Sequence, residues 1–233
     1  MSSTTRLSVI YGTGVIPARP LTREEALEGQ RGRLLAGIAS AVAENGYGET
    51  TIAEITKRAG TSKRTFYEHF TDKQDCYLAA YERAVEYILS QMAAAMPTSS
   101  DWQELCRGAL RQYLAILSVE PEFARAFIVE VARAGDRALD QRDVVHAQFA
   151  SFIEAIHAVA RQQDVRIAPL PQPVFIALVA AVNELVMTHV RKGRLEHLPE
   201  LEDTVALLVN AQFLGSGLAE VPQAQLQSAG KRA

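Results

Sequence analysis

The run Thr51-Ile52-Ala53-Glu54-Ile55-Thr56-Lys57-Arg58-Ala59, then Gly60-Thr61-Ser62, then Lys63-Arg64-Thr65-Phe66-Tyr67-Glu68-His69-Phe70, then Thr71-Asp72-Lys73, holds three helix starts in close succession. Thr51 followed by Glu54 fits a capping box, in which the threonine oxygen takes an orphan N–H and the glutamate reaches back. Ser62 can cap a second short helix and Asp72 a third. Ala59-Gly60 ends the first. Two short helices joined by a tight glycine-containing turn form a helix-turn-helix. Ile52, Ile55 and Ala59 can pack against Phe66 and against Leu35, Ile38 and Val42 of the preceding helix. That packing leaves Lys63, Arg64, Thr65, Tyr67 and His69 facing outward. Hydrogen-bond donors and an aromatic at the start of a helix suit the major groove of DNA.

Charge supports a local patch and not a basic protein. Between Thr51 and Lys73 five positive residues (Lys57, Arg58, Lys63, Arg64, Lys73) face three negative ones (Glu54, Glu68, Asp72), a balance of +2. The whole chain of 233 residues carries −3, so any DNA contact is confined to this region. A hydrophobic share of 48% excludes disorder throughout and supplies a large core. Two cysteines, Cys76 and Cys106, do not make a disulfide scaffold. They read as ordinary helix residues in preference to a redox pair. The longest apolar run, Val174 to Val182, is about half of the ~20 residues a spanning helix needs. With free thiols and no targeting signal, the cytoplasm is the expected location.

Working outward, every long segment reads as helix, and the fold class is all-α. One helix is expected from about Arg23 to Glu44, stopped by Asn45-Gly46. Gly32 and Gly37 inside it each cost up to about 1 kcal/mol against alanine. The helix that Asp72 opens runs to Met96, where Pro97 ends it. Stripes at three- and four-residue spacing then follow from Trp102 to Leu117, from Pro121, from Val145 to Ile156, from Val174 to Val190 and from Leu201 to Leu214. The expected organisation is a flexible tail over residues 1–22, a helix-turn-helix domain over 23–71, a helical ligand-binding and dimerisation domain over 72–214, and a frayed tail over 215–233. A sharper reading of the first tail, with Arg19 reaching into a minor groove, is the less favoured one.

The segments Gly46-Tyr47-Gly48-Glu49-Thr50-Thr51-Ile52-Ala53-Glu54-Ile55, Ala59-Gly60-Thr61-Ser62-Lys63-Arg64-Thr65-Phe66-Tyr67-Glu68-His69-Phe70 and Asp72-Lys73 resemble the DNA-binding domain of tetracycline-repressor-type regulators. The resemblance covers roughly residues 30–78. It implies a homodimer on a palindromic double-stranded operator, with a small-molecule effector held in a divergent helical domain. It assigns Thr51, Tyr67, His69 and Lys73 to phosphates and Lys63, Arg64 and Thr65 to base edges, with Ser62 opening the recognition helix. Arg64 is the expected specificity residue, since a guanidinium grips guanine O6 and N7 together. The long N-terminal tail departs from the family pattern.

The second unit carries the expected dimer face: Phe175, Leu178, Val179, Val182, Val186 and Val190 on one helix, with Leu201, Val205 and Leu208 on the last. They exceed what a one-sided surface helix needs. The aromatics Trp102, Tyr113, Phe127, Phe149 and Phe152 are candidates to line a ligand cavity, with Tyr113, His157 and Asn183 as orienting polar groups. A largely apolar effector is expected to release the protein from DNA by favouring a conformer with mis-spaced half-sites, as a repressor does. Neither cofactor nor metal nor catalytic residue is expected. Glu154-x-x-His157 has the spacing of ferritin-like metal bundles, which need two such motifs and two further glutamates. Glu184 and His189 are five apart and do not supply the second copy. A ferritin-like metalloprotein and a helical adaptor without DNA affinity are the alternatives.

Overall fold

The computed structural model describes residues 10–13, 22–99 and 101–215. Among them no strand occurs, and the architecture is all-α. Helix α1 (Arg23–Asn45) opens with a capping box between Thr22 and Glu25 and closes at Gly46, whose φ of 83° a side chain would resist. Helices α2 (Ile52–Ala59) and α3 (Lys63–His69) follow. Thr51 caps α2 through the Glu54 N–H, and Ser62 caps α3 through the Thr65 N–H. Gly60, left-handed at φ 61°, makes the turn between them. Thr51 and Ser62 cap as expected, but the box at Thr51 is half formed, because the Glu54 carboxylate accepts from Asn45 and Arg58 instead of reaching back; the three helices close on buried Ile38, Val42, Ile55, Ala59 and Phe66.

Two of the three glycines of α1, Gly32 and Gly37, are contact points. A Cβ on Gly37 would stand 2.9 Å from the Ile55 carbonyl oxygen, so its absence lets α2 lie directly against α1. A Cβ on Gly32 would drive into the Tyr11 carbonyl oxygen. Ile10 and Tyr11 are buried there, and the Tyr11 hydroxyl donates to the Ala80 carbonyl at 3.3 Å. The expectation of a flexible tail over residues 1–22 therefore fails at Ile10 and Tyr11, which belong to the core. Arg19 and the C-terminal tail after Gly215 lie outside the described residues.

Helix α4 (Lys73–Ala94), capped by Asp72, leaves the helix-turn-helix and enters the second unit. There it meets α5 (Trp102–Val119), while the short α6 (Pro121–Ala124) packs against α1 and α5. Helix α6 widens into a π-helical turn at Arg125–Val129 and tightens into a 3₁₀ turn at Val131–Arg133. Gly135, at φ 90°, separates it from α7 (Asp136–Gln163). Pro171-Gln172-Pro173 starts α8 (Gln172–Arg191), and a 3₁₀ stretch, Leu195–Leu201, leads into α9 (Glu202–Gly215). Helix α8 is longer than the apolar run read from sequence: by length and composition alone it is apolar enough to cross a membrane. Its Phe175, Leu178, Val179, Val186 and Val190 are instead buried inside the fold.

A Gly37→Ala variant tests the close approach. Helix propensity favours alanine by about 1 kcal/mol. Overpacking against Ile55 opposes it by about 1–3 kcal/mol. The expected outcome is a melting temperature lowered by several degrees in a circular-dichroism melt. A raised melting temperature would show that α1 and α2 have room to part.

Candidate nucleic-acid interface and ligand cavity

The outward face of α3 carries Lys63, Arg64 and Tyr67, all exposed; the Arg64 side chain is 90% exposed and Tyr67 60%. Arg64 pairs with Glu68 one turn on, at 3.2 Å. Such an exposed i,i+4 pair contributes only about 0.3–0.5 kcal/mol, so the guanidinium is readily released. Ser62 and Thr65 exchange a hydroxyl contact at 3.1 Å beside the cap. Thr51 is exposed at the start of α2, where free N–H groups favour an anion. These residues, with exposed Lys57, form one polar face. Arg58 does not join it, because Glu44, Glu54 and Ser40 hold it.

Two expected phosphate ligands sit differently. The Lys73 ammonium donates to the carbonyls of Tyr47 (2.7 Å), Thr50 (2.9 Å) and Gly48 (3.4 Å) and lies over the Tyr47 ring. In this structure its donors close the loop between α1 and α2. The physical reason is position: at the first turn of α4 it lies beside a loop whose carbonyls lack helical partners. His69 is half-buried, with Nε2 unpartnered, and burial, reinforced by Arg31, lowers its pKa.

A second set of polar contacts ties this unit to the rest. Glu130, 2% exposed, accepts from the Tyr47 N–H at 3.1 Å and pairs with Arg133. Gln74 donates to the Ala134 carbonyl at 2.6 Å and accepts from Arg137. The Tyr77 hydroxyl donates to the Ala126 carbonyl at 2.7 Å. Sequence reasoning missed Glu130, whose only signal is a lone acid between apolar residues.

Below α4 lies an apolar cavity of about 110 Å³, partly open to solvent. Tyr113, Phe149, Phe152 and Asn183 line it as expected, as does Phe123, another aromatic of the middle helices; Tyr81, Met92, Cys106, Ile128 and His146 also line it, which the sequence did not single out for a cavity. Trp102, Phe127 and His157 do not line it. Trp102 packs on Phe213, and Phe127 packs on Tyr77 and Tyr81. His157 is buried between Phe175 and Phe213, while Glu154 is exposed, so the pair does not converge on an ion. Burial pushes the Cys106 thiol up to about 11 and the Cys76 thiol higher still, which keeps both protonated and poorly reactive.

The expected dimer face is also corrected. Phe175, Leu178, Val179, Val186, Val190, Leu201 and Val205 are buried in the chain's own core, and Val182 is half-buried. Leu178, Val179, Val182 and Val205 line the cavity. Only Leu208 is exposed. The exposed stripes are the opposite ones: Ala177, Ala180, Ala181 and Glu184 on α8, and Leu207, Leu208, Ala211 and Leu214 on α9. Leu207 is 70% exposed and Leu214 54%.

Residues 34–80 match the family of bacterial regulatory proteins of tetR type. The helix-turn-helix unit is a tetR-family domain. The transcriptional activator FasR of Mycolicibacterium smegmatis is 33% identical over 84 residues, which are 36% of this chain and 38% of that protein. The chain thus aligns with well under half of that relative's length. Two solved structures share the fold over more of the chain. The fatty acid degradation regulator FadR of Bacillus halodurans has a TM-score of 0.70 at 15% identity, covering 82% of this chain and 96% of that one. FadR of Bacillus subtilis, solved with stearoyl-CoA, has a TM-score of 0.70 at 16% identity, covering 77% and 97%. Together with the all-helical second unit, these likenesses give the architecture: a tetR-type helix-turn-helix joined to a larger helical domain.

His69, His146 and His157 all have pKa values below the ordinary 6.5, each chiefly through burial. The unfolded chain therefore binds their protons more tightly than the folded one. Stability is fully present above about pH 6.5 and declines as pH falls below it. Denaturant midpoints at about pH 7.5 and pH 5 should show this decline, and His157→Phe should make it shallower. An unchanged slope in that variant would place the titration elsewhere.

Proposed function

We propose that this protein is a transcription regulator that binds a palindromic operator as a homodimer and is released by a long-chain acyl effector in the cavity below α4. One observation carries the reading: a single helix, α4, borders both the helix-turn-helix unit and an apolar cavity. The polar face of α3 supplies the groove contacts, with Arg64 and Lys63 toward bases and Thr51 and Tyr67 toward phosphates. The acyl class rests on the cavity's apolar lining and on the stearoyl-CoA bound to FadR of B. subtilis. Regulation of DNA places the protein in the cytoplasm.

The dimer is proposed on the exposed stripes of α8 and α9. Alanines there allow close helix approach, and Leu207, Leu208 and Leu214 supply apolar area that a monomer leaves in water. Two-fold symmetry would set two α3 helices about 34–36 Å apart or a multiple of that.

The route from cavity to DNA face runs through α6 and the turns after it. Phe123 and Ile128 line the cavity, and two residues later Glu130 holds the Tyr47 amide at the entry to α2. A ligand that displaces Phe123 or Ile128 shifts this anchor and biases the orientation of the helix-turn-helix.

Selection from random duplex DNA over a salt series is the first test. The expected outcome is a palindromic consensus with steep salt dependence. Sequence-blind weak binding would count against the reading. On the selected operator, Arg64→Ala should cost about 1–3 kcal/mol and relax one base position per half-site. Uniform weakening across sequences would make Arg64 a phosphate ligand. Glu130→Ala should leave palmitoyl-CoA affinity unchanged and reduce the effect of that ligand on operator affinity. Equal coupling in the variant and the parent protein, measured by paired titrations, would remove Glu130 from the route.

A further inference from the structure

The cavity is apolar except at one end. Tyr81 from α4, Tyr113 from α5 and His146 from α7 line it, and none of their polar atoms has a hydrogen-bond partner among the described residues. Buried tyrosine hydroxyls usually find a partner. Three together without one mark a place where something else completes the bonding.

Arg142 stands one turn before His146 on α7, hence on the same side of that helix. Its guanidinium is divided between two surroundings. Nη2 points outward and donates to Asp143 at 3.2 Å, a carboxylate that is largely exposed. Nε is buried and has no partner. The exposed Asp143 is screened by water and offsets little of the inward charge. These groups are mutual neighbours: burial raises the Tyr81 pKa, with Tyr113 raising it further and Arg142 lowering it. His146 is held neutral by burial and then by Arg142.

We infer that this end of the cavity, lined by Tyr81, Tyr113 and His146 with Arg142 next to them, receives the oxygen-bearing terminus of the acyl effector, with the alkyl chain filling the apolar remainder. The inference rests on the acyl reading above and adds which end of the ligand goes where. A carboxylate or carbonyl oxygen accepts; Arg142 Nε–H, the two phenols and a neutral imidazole N–H donate. The alternative end is a polar recess of about 150 Å³ that meets the cavity at Cys106. Its one cation, Arg107, is already paired with Glu202 and Asp203, so it offers an anion no unsatisfied donor of this kind.

Calorimetric titration with palmitate, palmitoyl-CoA and 1-hexadecanol tests the assignment. The three share a chain and differ in the terminal group. The expected result is that Arg142→Gln weakens binding of palmitate, palmitoyl-CoA or both by roughly 10-fold or more. Binding of 1-hexadecanol should change little. Loss confined to palmitate identifies a free carboxylate as the natural terminus; loss confined to palmitoyl-CoA identifies a thioester. Tyr113→Phe, which keeps the ring, should weaken the same ligand and provides the test if Arg142→Gln does not fold. Wild-type affinity of both acyl ligands in both variants overturns the head-group assignment and leaves the acyl reading standing. Failure of all three compounds to bind the parent protein overturns both.

Discussion

The stack of Tyr81 on Phe127, centroids 5.3 Å apart with rings 2° from parallel, fixes α4, the helix that leaves the helix-turn-helix, to the π-helical turn. Tyr81 belongs to α4, whose first turns, at Cys76, Tyr77 and Ala80, are buried near the helix-turn-helix. Its later turns, at Tyr81, Val85, Ile88 and Met92, border the cavity. Phe127 belongs to the π-helical turn. A π-turn inserts an extra residue into the helical repeat and so changes which side chains face inward. Here Phe127 turns toward the tyrosines while Phe123 and Ile128 turn toward the cavity. Because packed interiors are nearly incompressible, a displacement on the cavity side is passed on and not absorbed.

Around that apolar joint the contacts are polar and few. Lys73 fastens the loop before α2, Glu130 fastens the Tyr47 amide from the other unit, and Gln74 fastens the end of the 3₁₀ turn. This division of labour suits a hinge. Apolar contacts tolerate sliding, since dispersion and hydrophobic terms are non-directional. Hydrogen bonds are lost once distance and angle fail. A two-state response to a ligand would require discrete orientations, and directional bonds around an apolar joint are a means of defining them.

The sequence was most informative where chemistry is local. Thr51, Ser62 and Asp72 announce their caps because a cap needs one oxygen next to one N–H, and the spacing alone encodes it. It was least informative about what an apolar side chain faces. Periodicity marks Leu178, Val179 and Val205 as inward, yet cannot separate a dimer face from a cavity wall or a core. The same limit explains why Trp102 and Phe127 looked like cavity residues and turned out to be core. Gly32 and Gly37 read as flaws in α1 because propensity counts only the helix itself. Their partners, Tyr11 and Ile55, are distant in sequence. Lys73 resembles a phosphate ligand in composition, and only the fold reveals three carbonyls within its reach.

The unsatisfied groups at the end of the cavity bear on stability as well as recognition. Each buried donor left unpaired works against folding by roughly 1–3 kcal/mol, and natural interiors keep such groups rare. The Arg142 Nε–H is such a donor, buried without a partner at this end of the cavity. The folded state is therefore incomplete without a partner, and a ligand that binds only that state stabilises it by RT ln(1 + [L]/Kd). The same free energy is available to move the equilibrium between orientations of the helix-turn-helix, but only to the extent that the two orientations offer the ligand different cavities. The chain after α6 links the two places directly: Ile128 lies in the cavity wall and Glu130, two residues on, holds the Tyr47 amide.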